Sequence, residues 1–385
     1  MPRAGWIFIL LVALGVPATV HAWEVVLYEG RRHVPLENVA EFYSLKQLAS
    51  EGNKFTLTSP VKTITGSAGA REIIINNVKF ILCFPIAQKD GRTLISAMDV
   101  TKIIEPVMRP GKIKDAGVLK TVVLDAGHGG HDSGATSAYG REKDFTLDVA
   151  QRARKLLVQL GYQVRMTRQS DEFIPLEGRA AIANRYRDGI FVSIHFNKSN
   201  NPGGNGIETY ALAPRGVPSM DSERVSFSDL REHTGNIRDA ENITLATLMH
   251  SAMLRNLRLY DRGIKRARFV VIKDITIPGV LLEGGFVNHP GDGRSIASQE
   301  YRQRMAQSIV EAIGNYKRMV THDNVYVQPT LVVSAGDPGP NPALASPAPV
   351  PTPVPKVGEK TSVDEAVAKL NLEESVSEKP RPNLH

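Results

Sequence analysis

Four residues of this chain have side chains and sequence contexts that suit a zinc hydrolase. They are His128 in VVLDAGHGG, Glu142 in GREKD, His195 in FVSIHFN and Glu283 in GVLLEGGF. Two imidazoles and one carboxylate are a common ligand set for a catalytic zinc ion that keeps one position open for water. A second carboxylate can then carry the protons of the reaction. The residues therefore predict a metal-dependent hydrolase, provided that the fold brings all four together.

Both histidines follow predicted strands. The apolar run 121–125 ends shortly before His128, and the glycines around this histidine allow a sharp turn and keep bulk away from a metal. His195 ends the apolar run 189–195, and ligand sites in open α/β sheets gather at the carboxyl ends of strands. His131 is a competing candidate, but it lies further out in the same loop as His128.

The two glutamates have alternative roles when only the residues are considered. Glu142 precedes a long predicted helix, where a glutamate is favoured by the helix dipole. It becomes a ligand candidate because a His–Glu–His set needs a carboxylate near His128. Glu283 ends the apolar run 280–283, where a buried carboxylate is costly unless it is paired or used. It could be a fourth ligand or a base, and we favour the base because three protein ligands leave a position for water.

Several polar residues near these positions are predicted to support the site. Arg168, Arg179 and Asn184 are expected to be structural, because a buried arginine near a strand end more often pairs with a carboxylate than binds substrate. Asp125 could orient His128 by a hydrogen bond to the ring nitrogen that faces away from the metal.

From Lys120 onward the chain alternates apolar runs typical of strands with segments of helical periodicity. This alternation predicts an α/β catalytic domain over 120–320, with a mixed, mostly parallel sheet flanked by helices on both faces. The predicted strands are 121–125, 162–167, 189–195, 206–212, 269–272 and 278–283, and the predicted helices are 143–160, 176–186, 243–259 and 301–317.

Residues 23–110 alternate short apolar runs with turn signals, which predicts a small β-rich domain ahead of the catalytic domain. Two segments within it, 33–42 and 94–103, look like two copies of a unit in which a strand leads into a short helix. The pattern resembles the stalk domain at the N-terminus of copper amine oxidases. That resemblance implies a spacer or wall-binding role without chemistry. Residues 111–119 form the predicted linker.

Two later segments fit no regular element. Residues 214–238 are polar and irregular, and loops of this length are usually functional or mobile. We weigh a lid over the zinc cleft against a plain solvated loop. Residues 321–385 become rich in proline and then charged, which predicts an extended, disordered tail with a short amphipathic helix at 362–372.

The first 22 residues combine Arg3, an apolar core and a small-residue site at Ala22, which predicts a cleaved secretory signal peptide. An uncleaved membrane anchor is the alternative, since the apolar run approaches spanning length. Either way we expect export to the periplasm or beyond, with no stable membrane insertion after cleavage. The net charge of +7 favours anionic partners, but nucleic acid is not expected because the sequence has no dense Lys/Arg run. The single cysteine, Cys83, is predicted to be a buried apolar residue.

Residues 120–317 resemble the zinc-dependent N-acetylmuramoyl-L-alanine amidases of the amidase type 3 family. The chain departs from the family pattern at Phe196-Asn197 and Asn288-His289, neither of which is a proposed ligand. The segments that carry the resemblance follow in order: LDAGHGGHDSGA at 124–135, Glu142 before the helix, Thr167-Arg168, RAAIAN at 179–184, SIHFN at 193–197, GIETY at 206–210, DRGIK at 261–265 and LEGGF at 282–286.

The resemblance implies a zinc ion on His128, Glu142 and His195, with Glu283 catalytic. It implies hydrolysis, by zinc-activated water, of the amide between the lactyl group of N-acetylmuramic acid and L-alanine. Peptidoglycan is then the partner, an activator protein is a candidate partner, and cell division is an expected setting. Two alternatives remain open from the sequence: an exported zinc peptidase that cuts stem peptides, and a non-catalytic wall-binding protein.

Overall fold

A computed structural model of the chain describes residues 23–48, 52–113, 119–201, 203–218 and 224–321. The predicted signal peptide, the predicted tail beyond residue 321 with its short helix, and residues 114–118 of the predicted linker lie outside the described residues. Within the described ranges, every helix is either too short or too polar to cross a bilayer.

The N-terminal region is built mainly from short strands, as predicted, and its helical residues lie in two stretches, 36–42 and 97–112. Its helices are α1 (Leu36–Phe42), α2 (Ala97–Asp99), a π-helical turn (Val100–Ile104), α3 (Glu105–Met108) and a 3-10 turn (Pro110–Lys112). Its strands are β1 (Val26–Tyr28), β2 (Arg31–Pro35), β3 (Lys46–Gln47), β4 (Lys54–Thr58), β5 (Thr63–Ser67), β6 (Glu72–Ile75), β7 (Val78–Ile81), β8 (Ala87–Lys89) and β9 (Arg92–Ser96).

Residues 119–321 alternate strands with helices. The strands are β10 (Thr121–Ala126), β11 (Thr136–Ser137), β12 (Gly140–Arg141), β13 (Gln163–Met166), β14 (Gly189–Asn197), β15 (Ile207–Leu212), β16 (Asp261–Ala267) and β17 (Gly279–Phe286). The helices are α4 (Glu142–Gln159), α5 (Leu176–Ala183), α6 (Asp239–Leu257), α7 (Val270–Lys273), α8 (Pro290–Ala297) and α9 (Gln299–Thr321), with 3-10 turns at Phe227–Leu230 and Thr234–Arg238.

The large sheet has the strand order β13-β10-β14-β17-β15-β16-β7-β6-β5-β4-β3. Strands β13, β10, β14 and β17 run parallel, β15 is antiparallel to β17, and β16 is parallel to β15. The predicted mixed, mostly parallel sheet of the catalytic part is therefore confirmed. Every residue of β10 and of β15 is buried, as expected for strands that are covered on both faces.

Helices cover both faces of this sheet. On one face, Phe191, Tyr210 and Leu281 pack with residues of α5 and α7 in one apolar core. On the other face, the backbone of Gly284 lies against Met305 of α9, and α9 in turn packs on α4 and α6. These two helical layers cover the faces of the sheet, and loops lie at the carboxyl ends of the parallel strands.

The N-terminal region continues the sheet of the catalytic region. Strand β7 pairs in parallel with β16, with the buried residues Phe80 and Ile264 as register partners. Thr244 of α6 also donates a hydrogen bond to the carbonyl of Pro106 in α3, over 3.4 Å. Backbone pairing thus joins the two regions. The domain boundaries at 110 and 120 remain predictions from the sequence.

One predicted strand is wrong. Residues 269–272 lie mostly in the short helix α7, and the strand before it is β16, further back in the sequence. Val271 and Ile272 are buried in the core beside Tyr210. A short run of β-branched residues buries its side chains equally well as one helical turn, so its composition does not decide between helix and strand.

Candidate metal centre

His128 lies in a turn that directly follows β10. Its backbone φ is +61°, in the left-handed region that is unusual for residues other than glycine. A Cβ atom on the preceding Gly127 would lie 2.4 Å from the ring of His195, so only glycine fits there. The glycine next to His128 therefore lets the two imidazoles approach, with ring centroids 4.9 Å apart.

Glu142 is the first residue of α4, and its carboxylate lies between the two histidines. Its Oε1 accepts hydrogen bonds from His128 Nε2 at 3.1 Å, His195 Nδ1 at 2.9 Å and the backbone amide of Phe196 at 3.0 Å. Its Oε2 accepts the amide of Ala135 at 2.8 Å. These contacts hold a buried carboxylate in one position, although it starts a helix far along the chain from His195.

The three side chains form a cluster that could hold a metal ion. One ligand atom from each of His128, Glu142 and His195 can be chosen so that all three lie within 4.8 Å of one another. Burial opposes ionisation of Glu142, but hydrogen bonds and charge from both histidines hold the pKa of its carboxyl well below the ordinary value. Ionised Glu142 and two imidazoles are the donor set that zinc prefers, so the residues present fit the ion.

Glu283 lies beside this cluster on the neighbouring strand. It is the register partner of His195 across the parallel pair β14–β17, so both side chains project from the same face of the sheet. Its Oε2 is buried and has no hydrogen-bond partner among the described residues. Burial, together with the charges of Glu142 and Glu208, raises the pKa of Glu283 well above the ordinary value.

The residue that orients His128 is Asp132, and the expectation for Asp125 was wrong. The Nδ1 of His128 donates a hydrogen bond to Asp132 Oδ2 over 2.8 Å, leaving Nε2 to face Glu142. Asp125 is fully buried and instead pairs with Arg179 at 2.7 Å. Asp132 stands four residues after His128 within the family motif. That spacing is a weak signal because only the glycine-rich turn brings the two side chains together.

Two buried arginines donate hydrogen bonds to the backbone of this turn, which is a structural role as predicted. Arg179 binds Asp125 and also donates to the carbonyl of His128 at 2.8 Å. Arg168 donates to the carbonyls of Ala126 at 2.9 Å and Gly127 at 2.9 Å. These bonds hold the left-handed backbone at the site.

Asn184 and His131 lie apart from the metal cluster. Asn184 ends α5 and binds the backbone around Thr276, which is a structural role. The ring of His131 lies 4.2 Å from the ring of Phe173. The structure therefore places His128 in the metal cluster with Glu142 and His195, and it leaves the competing His131 outside that cluster.

A buried charge cluster beside Glu283 was not predicted from the sequence. Glu208 is the register partner of Glu283 across the antiparallel pair β17–β15 and is 3% exposed. Its Oε1 accepts hydrogen bonds from Arg262 and from Lys265, the latter over 2.7 Å. Its Oε2 accepts the hydroxyl of Tyr210 at 2.5 Å and the side-chain amide of Asn197 at 3.1 Å. Glu208, Tyr210, Arg262 and Lys265 lie in the motifs GIETY and DRGIK, which carry no metal ligand, and Asn197 ends the motif SIHFN.

The described parts of the segment 214–238 lie away from the metal cluster, which contradicts a lid. Strand β15 runs antiparallel to β17 and so leads the chain toward the end of the sheet where β17 begins. There Arg268 binds Asp229 at 2.7 Å, and Gly235 packs against the carbonyl of Ile272. The sequence pattern did not specify this strand direction, and the lid expectation depended on it.

Comparison with known proteins links this geometry to one family. The family description N-acetylmuramoyl-L-alanine amidase matches residues 122–315. The chain is 32% identical over 227 residues to the N-acetylmuramoyl-L-alanine amidase AmiA of Escherichia coli K12, covering 53% of this chain and 78% of that protein. It is 32% identical over 235 residues to AmiC of Neisseria meningitidis serogroup B, covering 54% and 55% of the two chains. The solved amidase AmiC2 of Nostoc punctiforme is 34% identical, with coverage of 51% and 96% and a TM-score of 0.43.

Proposed function

This chain belongs to the amidase type 3 family of N-acetylmuramoyl-L-alanine amidases, and we propose that it uses zinc held by His128, Glu142 and His195, with Glu283 as catalytic acid and base. It is a peptidoglycan hydrolase, and the bond cut is the amide between the lactyl group of N-acetylmuramic acid and L-alanine.

One observation supports the residue roles most strongly. Glu142 Oε1 lies within 3.1 Å of a nitrogen of each histidine, and β17 presents Glu283, whose Oε2 has no hydrogen-bond partner in the described part of the chain. Three ligands from the protein and one unpaired carboxylate match what a metal-dependent hydrolase needs. A bound zinc ion would supply a Lewis acid that polarises the carbonyl and makes water acidic near neutral pH.

The protein side chains then have separate tasks. Asp132 accepts a hydrogen bond from Nδ1 of His128 and so fixes the tautomer in which Nε2 would present its lone pair to a bound metal ion. Glu283 accepts the proton of the attacking water and passes it to the departing alanine nitrogen. A raised pKa suits this exchange, because it makes the ionised carboxylate a stronger base toward the attacking water.

The remaining predictions complete the proposal. The chain is exported by a signal peptide over 1–22 and acts in the periplasm or outside the cell, with cell division as one setting. Residues 23–110 serve as a stalk-like or wall-binding domain, 111–119 as a linker, and 321–385 as a disordered tail. An activator protein is a candidate partner. The pairing of β7 with β16 supports a domain joined directly to the catalytic sheet.

Product analysis on purified peptidoglycan tests the function. The zinc-loaded protein should release intact stem peptides with a free alanine amine and leave the glycan chains uncut. Chelation should stop the release, and added zinc should restore it. Fragments cut within the stem peptide would instead indicate a peptidase, and zinc binding without any release would indicate a non-catalytic wall-binding protein.

A further inference from the structure

Four neighbouring strands present the polar residues beside the metal cluster in one row. In sheet order, β14 carries His195, β17 carries Glu283, β15 carries Glu208, and β16 carries Arg262 and Lys265. His195, Glu283 and Glu208 are direct register partners, and Lys265 is the partner of Tyr210, two residues along from Glu208. The row therefore begins at the metal position and ends in two cations.

Glu208 holds both cations in place but does not satisfy them. Its side chain is 3% exposed and its Oε1 accepts hydrogen bonds from both. The guanidinium carbon of Arg262 lies 5.1 Å from the ring centroid of Phe286, which supports a fixed orientation. Two positive charges thus share one carboxylate. Within the described part of the chain, Arg262 Nη2 makes no hydrogen bond to protein, and the arginine side chain is 32% exposed.

We propose that Arg262 and Lys265 form a subsite that binds a carboxylate of the stem peptide, which makes the enzyme selective for acidic stems. The inference rests on the proposed function, because it takes the scissile amide to lie between the metal cluster and Glu283. A planar guanidinium with free N–H groups beside an ammonium is a favourable receptor for a carboxylate. The glycan strand is uncharged at this bond, so the cations suit the peptide side of the substrate.

Strand spacing indicates which residue of the stem is recognised. Adjacent strands lie about 4.8 Å apart, so β16 is about 10 Å from β17. An extended peptide advances about 3.3–3.6 Å per residue. A chain that starts at the scissile amide beside Glu283 therefore reaches the cations at about its second or third residue.

A matched pair of substrates tests the subsite. One is an N-acetylmuramoyl tripeptide with free carboxylates on its second and third residues, and the other carries carboxamides there. The wild-type enzyme should have a kcat/KM about tenfold higher for the free acid, as expected for one charge-assisted hydrogen-bonded pair. Arg262→Gln should remove most of this preference by raising KM for the acid, with kcat nearly unchanged. Arg262→Lys should keep part of it.

The controls separate a lost subsite from a damaged protein. Arg152→Gln removes a guanidinium that pairs with Asp148 on α4, and it should leave the preference unchanged. Bound zinc and melting temperature are measured for each variant. If Arg262→Gln does not fold, the two substrates on the wild-type enzyme still decide. Equal kcat/KM for acid and amide would overturn the subsite alone, whereas no cleavage of either substrate would overturn the proposed function and this inference with it.

Discussion

Glu283 lies directly opposite Glu208 across the β17–β15 pair, and their surroundings move the pKa values of the two carboxyls in opposite directions. Burial disfavours ionisation of Glu208, but Lys265, Arg262 and Tyr210 lower its pKa. Glu283 is half-buried, its Oε2 has no such donor among the described residues, and burial together with the charges of Glu142 and Glu208 raises its pKa. Neighbouring carboxyls whose pKa values are moved apart are typical of acid–base assignments in hydrolases.

We expect Glu283→Gln to lose amide hydrolysis while keeping the fold and the metal. The amide side chain has the same shape but can neither accept nor return a proton, so kcat should fall about 10³-fold. Hydrolysis of muramoyl peptides and zinc content should be measured on the same preparation. The exposed Glu177→Gln is the control. A kcat within tenfold of wild type would show that Glu283 is not the proton carrier.

His195→Ala should lose the metal, and His131→Ala should keep it. The ring of His195 lies within hydrogen-bonding distance of Glu142, whereas His131 packs against Phe173 outside the cluster. Elemental analysis of purified protein should give zinc near one per chain for wild type and His131→Ala, and near zero for His195→Ala. The reverse pattern would move the metal site to the outer histidine of the loop.

Asp132→Asn should weaken zinc binding about 10- to 100-fold, because the carboxylate behind His128 fixes its tautomer and makes the ring more basic. Competition with a chromophoric chelator measures the affinity. Asp171→Asn is a matched control, since Asp171 accepts hydrogen bonds from Gly130 of the same loop and from Lys143 of α4 without touching His128. Equal losses in the two variants would mean that loop order matters, and not the His128 contact.

Some of this site could be predicted from the sequence, because apolar runs locate strands and a parallel sheet gathers their carboxyl ends. His128 follows such a run, His195 and Glu283 each end one, and the structure brings all three together. The direction of β15 could not be predicted, since the period-2 pattern of a strand is the same in both directions. Glu208 beside Glu283 and the position of the 214–238 segment both depend on that direction. The Asp132–His128 contact depends on a left-handed turn, which apolar periodicity does not report.

Asp125→Asn should destabilise the chain, with a clear pH dependence. Asp125 and Arg179 form a buried ion pair, and removing one partner of such a pair costs about 3–5 kcal/mol. Burial opposes ionisation, but Arg179, Thr167 and Ser193 hold the pKa of Asp125 below its ordinary value. Its contribution is therefore present above the unfolded-state pKa of about 3.9 and is lost as pH falls through the lower folded-state value.

Urea unfolding of the zinc-free proteins at several pH values measures this contribution. The gap in unfolding free energy between wild type and Asp125→Asn should be constant from pH 7 to about pH 5 and should shrink below about pH 4. A gap that widens toward low pH would have the wrong sign for a carboxylate that is ionised in the folded state.

Phe80→Ala should destabilise the catalytic region as well as the N-terminal region, because the two share one sheet. Phe80 is fully buried and is the register partner of Ile264, so its truncation should cost about 3–5 kcal/mol. Calorimetry of the zinc-loaded protein should show a single transition that moves to lower temperature, and loss of bound zinc should follow the same shift. Ile74→Ala, on the exposed side of β6, should change stability by less than about 0.5 kcal/mol. The contrary result would be two separate transitions, of which Phe80→Ala moves only the one that does not release zinc. That result would show that the β7–β16 pairing does not couple the two regions.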